Sequence, residues 1–366
     1  VLSDTARTAT LDTIAAVQLP CGMIPWFRGG HADPWTHVEA AMALTVGRRR
    51  AEAERAYEWL LATQRPDGAW HQYYRAGPGG ACVVEVALLD ANVTAYVATG
   101  AWHHFLSTGD TGFLSSMWPA VDAAMEFVLR LQAPGGEVIW ARHADGTPWS
   151  FALLTASSST CLSLRCAVAI AERLGHERPR WRAAAARLAG AIGLRPGSFL
   201  PKDRWSMDWY YPVLAGVVGG EAARARLGAG WDRFVMDGIG VRCVADRPWA
   251  TAAETSEASI AHAAAGRPDD ARRLFSWAQH LRAADGSYFT GMVHPERVHF
   301  PAGERTTYSA AAVVLAADVL TGTTPASGLF AGRGSYPAGE REVVRRPVVG
   351  TAPPSVQPPE AAYRSG

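Results

Sequence analysis

The amino-acid sequence predicts an all-α protein, an (α/α)6 toroid built from six helical hairpins. Three observations predict it. Helical periodicity runs through most of the 366 residues, with alanine-rich apolar faces and few alternating β-branched runs. Segments that are apolar nearly all round alternate with amphipathic ones, the first kind reading as buried helices and the second as helices facing solvent. A loop rich in polar and aromatic residues precedes each apolar segment. Six of each kind make a buried inner ring and a wet outer ring, closed by the N-terminal helix packing against the last one.

The elements follow in order. The first amphipathic helix spans residues 4–17, with Asp4 or Thr5 as its N-cap and Pro20, Gly22 and Pro25 ending it. Asp33-Pro34 opens the first inner helix, 33–47, as a cap followed by proline at the first helical position. Outer helices are then expected at 49–64, 117–132, 178–192, 221–235 and 269–283. The remaining inner helices are expected at 89–108, 156–175, 207–218, 252–265 and 305–320. Residues 1–322 form the single barrel domain in this reading. The Pro- and Gly-rich segment 323–366 has little periodicity and reads as a strap or a disordered tail.

Composition narrows the function classes. Lys plus Arg is 35 and Asp plus Glu is 34, so no net field draws in nucleic acid or anionic lipid. No apolar run reaches the roughly 18 residues of a membrane span. The five cysteines, Cys21, Cys82, Cys161, Cys166 and Cys243, include no C-x-x-C pair and read as reduced thiols of a cytoplasmic protein. The histidines show no metal-like spacing, so no metal and no cofactor are expected.

Two resemblances enter here. The segment 57–70, YEWLLATQRPDGAW, ends in Gln64-x3-Gly68-x-Trp70, which resembles the QW motif of squalene and hopene cyclases and of protein prenyltransferases. The motif turns on Asp67-Gly68 at the end of an outer helix and stacks an aromatic on the glutamine. Segment 96–132 looks like the helix, TGD turn and WP helix of glucoamylase-type glycosidases. Where those enzymes place a tryptophan followed by the general-acid glutamate, this chain has Trp140, Ala141 and Arg142. The segment 304–320 is similar to the last inner helix of six-hairpin glycosidases, whose general base lies just upstream; Glu296 and Glu304 match that place. The prenyl side has neither D-x-D-D nor D-D-x-x-D.

In such a toroid the loops leading into the inner helices converge on one mouth, and all six loops here carry polar and aromatic groups. The richest is 202–212, KDRWSMDWYYP, with four charges among four aromatic rings. Glycoside cleavage needs one carboxylic acid and one carboxylate. Asp208, beside Met207 and Trp209, reads either as the acid or as a helix cap, and Glu304 as the base. Asp33 and Asp90 read better as caps. Glu254 and Glu257, three apart, hold a substrate hydroxyl, or one of them pairs with Arg247.

The expected catalytic set is Asp208, Glu304 and Glu254. Asp90, Asn92, Lys202, Asp203, Arg247 and Glu257 orient hydroxyls, together with His37, Tyr210 and Tyr308. Trp35, Trp149, Trp209 and Trp249 stack on sugar faces. The chain therefore reads as an inverting glycoside hydrolase acting on a small-molecule glycoside or glycoconjugate. Two alternatives stay open: a terpene-cyclase- or prenyltransferase-like toroid with an aromatic, cation-stabilising cavity, and a sugar-binding toroid without activity.

Overall fold

The structure, a computed structural model, describes residues 1–330 of the chain. Twelve α-helices appear among them. The outer helices are α1 (Asp4–Ala15), α3 (Arg50–Thr63), α5 (Thr111–Leu129), α7 (Pro179–Leu194), α9 (Gly220–Phe234) and α11 (Pro268–Ala278). The inner ones are α2 (Pro34–Val46), α4 (Ala91–Thr108), α6 (Leu154–Arg173), α8 (Ser206–Leu214), α10 (Ala252–Ala264) and α12 (Thr307–Thr321). Each inner helix packs on the next, and α12 packs on α2, so the ring closes as the sequence predicts. The N-terminal helix α1 lies against α12 and α2.

Ring closure explains the composition of the inner helices. Residues 37–46 of α2 and 310–317 of α12 are all buried. A helix buried on every face must be small-sided or self-satisfied in hydrogen bonds. Gly100 of α4 lies under Val38 and Tyr57, where a Cβ would meet a Val38 methyl at 2.4 Å. Hydroxyls inside the ring bond backwards or across: Thr45 to the Ala41 carbonyl at 2.9 Å, and Thr99 to Ser163, between α4 and α6, at 3.0 Å. By length and composition α6 could cross a membrane; its place in the inner ring, with 78% of its most apolar window buried, accounts for that character.

The outer ring is spaced by a recurring turn. The Gln64 side-chain amide donates to the Gly68 carbonyl at 3.0 Å and to the Ala120 carbonyl of α5 at 2.9 Å. Gln132 does the same with Gly136 and with Ala184 of α7, at 2.9 Å each. Gln18 repeats it with Gly22 at 3.0 Å and Glu52 of α3 at 2.9 Å, a third copy with no tryptophan to mark it. The glutamine thus acts by hydrogen bonding to two backbones, while the Trp70 indole donates to the Leu60 carbonyl at 3.0 Å. Gly68 has φ +89, and a Cβ there would lie 2.1 Å from the Ala123 carbonyl oxygen. Its freedom to take positive φ and its missing side chain are both used.

Several boundaries differ from expectation. Helix α1 is capped by Ser3, whose side chain accepts from the Ala6 amide, and not by Asp4 or Thr5. Helix α5 starts six residues earlier than its periodicity suggests: Gly109, with φ +70, ends α4, and Asp110 accepts from the Phe113 amide to start the next helix. Pro119 is accommodated inside α5. Ten short strands among the described residues were not foreseen. Strands β1 (His31–Ala32), β2 (Tyr73–Ala76) and β3 (Cys82–Val86) form one antiparallel sheet; β4 (Leu89–Asp90) pairs with β5 (Ala141–Arg142). A five-stranded sheet follows the order β10 (Val298–His299), β9 (Gly291–Val293), β8 (Trp249–Thr251), β7 (Gly240–Arg242), β6 (Val235–Met236). These strands stiffen the loops that lead into the inner helices.

Of the segment 323–366, residues up to 330 are described; the rest of the expected tail lies outside the described residues. Leu329 and Phe330 are buried, and Phe330 shares a small void with Leu214, Ile260, Ala312 and Leu315 of the inner ring. The end of the described chain thereby fills the narrow end of the toroid.

Two outcomes follow. Gly68→Ala should destabilise the fold by more than ~2 kcal/mol in urea unfolding, through backbone strain and the clash with α5. At Gly79, also at positive φ but with nothing within 4 Å, the same change should cost only ~1 kcal/mol. Burial also holds His37, His104 and His262 down at about 4 and His103 at about 3. The unfolded chain therefore binds these protons first as pH falls below about 6.5, and stability drops between there and about pH 4, by up to ~1.4 kcal/mol per pH unit for each histidine. The buried acids Glu257 and Asp90, raised to about 8 and about 6, act in the opposite sense over this range, so the histidine contribution is read from His37→Gln, which should lose less stability than wild type between pH 7 and pH 5.

Candidate active site

The mouth of the ring opens into a cavity of about 410 Å³. Its wall carries six carboxyl groups, Asp33, Glu39, Asp90, Asp208, Glu254 and Glu257, one cation, Lys202, and the rings of Trp26, Trp35, Tyr73, Trp140, Trp205 and Tyr308.

Two of the carboxylates are caps with both oxygens engaged. Asp33 caps α2: one oxygen accepts from the Thr36 amide at 2.9 Å, the other from the Trp26 indole at 2.8 Å and the Thr36 hydroxyl at 2.6 Å. Asp90 caps α4 through the Asn92 and Val93 amides, at 2.7 and 3.1 Å, and accepts from the Trp140 indole on its second oxygen. Burial pushes Asp90 up to about 6, against these hydrogen bonds.

Asp208 is different. It sits in the first turn of α8 without capping that helix. Its Oδ1 reaches across to the start of α6, accepting from the Thr155 amide at 3.2 Å and the Thr155 hydroxyl at 2.6 Å. Burial raises the carboxyl above its usual range, while the Thr155 bonds and the charges of Arg226 and Lys202 oppose the rise. Arg226, from α9, donates to the backbone carbonyls of Asp208 and Trp209 at 2.6 and 2.8 Å and fixes the turn. The Lys202 ammonium lies 5.9 Å from the Trp205 ring centre, and burial lowers its affinity for a proton.

Glu254 opens the next inner helix, α10. The Thr251 hydroxyl donates to its Oε2, and the neighbouring Cys243 thiol, held protonated by burial and by this carboxylate, hydrogen-bonds to it. Deeper down, the Tyr210 hydroxyl donates to Glu257 Oε2 and the Tyr96 hydroxyl to Glu39 Oε1 at 3.4 Å.

The expected site residues thus divide. Trp35, Asp90, Asn92, Lys202, Asp208, Glu254, Glu257 and Tyr308 line the cavity. The others do not. Glu304 accepts from the Thr290 hydroxyl at 2.9 Å within its own loop. His37 is buried between the Ile24 amide at 3.0 Å and the Ala56 carbonyl at 2.9 Å, a core contact. Trp149 packs with Trp140, Phe151 and His143. Asp203 is exposed and pairs with Arg233. Trp209 stacks on Phe234 and donates to the Arg226 carbonyl at 3.0 Å. Tyr210 acts from behind, on Glu257. Arg247 is exposed, and Trp249 donates to the Phe300 carbonyl at 3.0 Å. Ala141 and Arg142 form β5, so the place of the glucoamylase acid is taken by backbone pairing with β4.

Glu39, Gln72, Tyr73 and Trp205 line the cavity without having been assigned a role. A glutamate inside the apolar run HVEAAMALTV, four residues after Trp35, was the available signal for Glu39. Gln72 and Tyr73 follow an outer helix, and their contribution depends on the β1–β2–β3 sheet folding over the mouth. Among the described residues no group of three or more His, Cys, Asp or Glu side chains could hold a metal ion.

The closed toroid of six hairpins is the fold of the six-hairpin glycosidases, and known structures share it. A glycosidase matches with a TM-score of 0.64 at 16% identity, covering 87% of this chain and 97% of its own. The GH63 mannosylglycerate hydrolase of Thermus thermophilus matches at 0.65 and 13% identity, covering 84% and 99%. The cellobiose 2-epimerase of Spirochaeta thermophila matches at 0.61 and 13%, covering 86% and 95%. No family model matches the sequence. In sequence the chain is 50% identical over 332 residues, 91% of its length and 90% of the relative's, to the "MMP endo-(1,4)-3-O-methyl-alpha-D-mannosidase" of Mycolicibacterium hassiacum. The chain belongs to the family of that mannosidase and is a glycoside hydrolase.

The placement of the acids makes a direct comparison possible. Glu304→Gln should leave kcat/KM within about threefold of wild type, and Glu254→Gln should lower it by at least about a thousandfold. Steady-state hydrolysis of one glycoside by both variants checks this.

Proposed function

We propose that this enzyme hydrolyses (1,4)-linked α-mannosides carrying 3-O-methyl groups, with inversion, using Asp208 as general acid and Glu254 as general base. The observation that carries the reading is that both carboxyl groups line one aromatic-walled cavity, from the starts of neighbouring inner helices, in a chain half identical to a mannosidase of that specificity. Asp208 has the environment of an acid: it is buried and its proton affinity is raised. In the reaction its proton passes to the glycosidic oxygen as the C1–O bond breaks. A water on the opposite face of the sugar attacks C1 and gives its proton to Glu254, so the net change is addition of one water.

The wall supplies the rest. Trp35 and Trp205 offer flat faces for the sugar, and Lys202 offers a charged partner to its hydroxyls. A cytoplasmic location is part of the proposal, on the ground that the sequence has five cysteines, an odd number, with no C-x-x-C pair.

Proton NMR of the first turnovers should show the new reducing end appearing as the β anomer before mutarotation; an α product would replace inversion by retention. Asp208→Asn should lower kcat by about a thousandfold or more, with a smaller effect on substrates whose leaving group needs no protonation. An equal loss on both substrate types would remove Asp208 from the acid role.

A further inference from the structure

Two of the five cysteines meet in the structure. Cys21 lies in the turn after α1, and Cys82 opens β3, 61 positions further on. Their sulfurs are nevertheless 2.7 Å apart, one thiol donating to the other. Both are only partly buried, at the edge of the core. Of the other three, Cys161 and Cys166 are buried within α6, and Cys243 lines the cavity.

The two sulfurs stand on supports of different firmness. Cys21 precedes Gly22, whose φ of +95 and close approach to the Arg55 carbonyl seat the turn on α3. The Gln18 amide, bonded to Gly22 and to Glu52 of α3, holds the same turn. Cys82 instead ends the hairpin that joins β2 to β3. Residues 78–81 there are exposed, and Gly79 and Gly80, both at positive φ, have open space where a side chain would stand. Residues 83–87 are exposed as well, so β3 is held along one edge by β2 and by the His31–Glu85 ion pair at 3.6 Å. A segment with few buried contacts and an exposed ladder opens locally at low cost. The hairpin bears on the site because β2 begins at Tyr73, in the cavity wall.

We infer that Cys21 and Cys82 form an oxidative modification site, which a hydroperoxide closes into one intramolecular disulfide that ties the mouth hairpin to the fixed turn after α1. The attacking species is a thiolate. Burial and the contact with Cys21 hold the Cys82 proton above the usual thiol range, which assigns the attack to Cys21. Its sulfur takes one peroxide oxygen as the O–O bond breaks, giving a sulfenic acid and one water. The Cys82 sulfur then displaces that oxygen, which leaves with the Cys82 proton as a second water. Two electrons pass from the thiols to the peroxide. In a reducing compartment such a bond is transient and is reversed by thiol exchange.

The full chain, treated with stoichiometric hydrogen peroxide, tests this. The count of five thiols should fall by two, and peptide mapping without reductant should join the peptides of Cys21 and Cys82. Amide hydrogen exchange across 77–86 should slow by about tenfold or more on oxidation and recover with dithiothreitol. Cys82→Ser should form no internal disulfide and leave Cys21 as a sulfenic acid that dimedone traps; melting temperatures confirm that it folds, and Cys21→Ser provides a second variant without the bond. An unchanged thiol count, or a bond between any other pair, overturns the site. Equal exchange in the oxidised and reduced chains overturns the tie to the hairpin.

Discussion

Closure of the inner ring takes water away from whatever the six inner helices point at their common axis, and the rest of the molecule follows from that. A side chain on the axis has to be small, hydrogen-bonded to its own ring, or exposed at the mouth. The alanines of α2 and α12, the back-bonded hydroxyl of Thr45 and the hydroxyl of Thr99, bonded across to Ser163, satisfy the first two conditions. The acids satisfy the third only in part. Asp90, Asp208, Glu39 and Glu257 line the cavity yet are mostly buried, so each holds its proton more tightly than a surface carboxyl. The ring that makes the fold also raises the proton affinity of the acids that line its cavity.

The ring in turn depends on its spacing. In three of the hairpins a glutamine amide bridges a glycine turn and the backbone of the next outer helix, and the glycine lets the two chains touch. A fourth turn, after α11, keeps the glycine against α1 but uses Arg282, which donates to the Ala6 carbonyl at 3.2 Å. The pattern links α11, α1, α3, α5 and α7. It breaks at α9, where strands β6 to β10 intervene.

The architecture was legible because it is written in helix-period burial, which survives any error in the ends. Asp33-Pro34 marks the start of α2, whereas Pro119 inside α5 masks the continuity of that helix back to its cap, Asp110. The site was less legible for a different reason. The tryptophans and acids of 202–212 are interleaved in sequence, but helix geometry sends Asp208 to the cavity and Trp209 to the outer layer. Glu304 lies in the loop before α12 and Glu254 in the first turn of α10, and only the folded chain decides which one lines the cavity. Glu304 is turned to Thr290. Strands two or three residues long carry almost no periodic signal, so the sheet that brings Gln72 and Tyr73 to the mouth stayed hidden.

Phe330 and the residues packed around it give the cup a bottom. Among the described residues the barrel is therefore closed at that end by its own chain, and its polar and aromatic groups meet solvent from the mouth, so a ligand approaching them passes the loops before it reaches the inner helices.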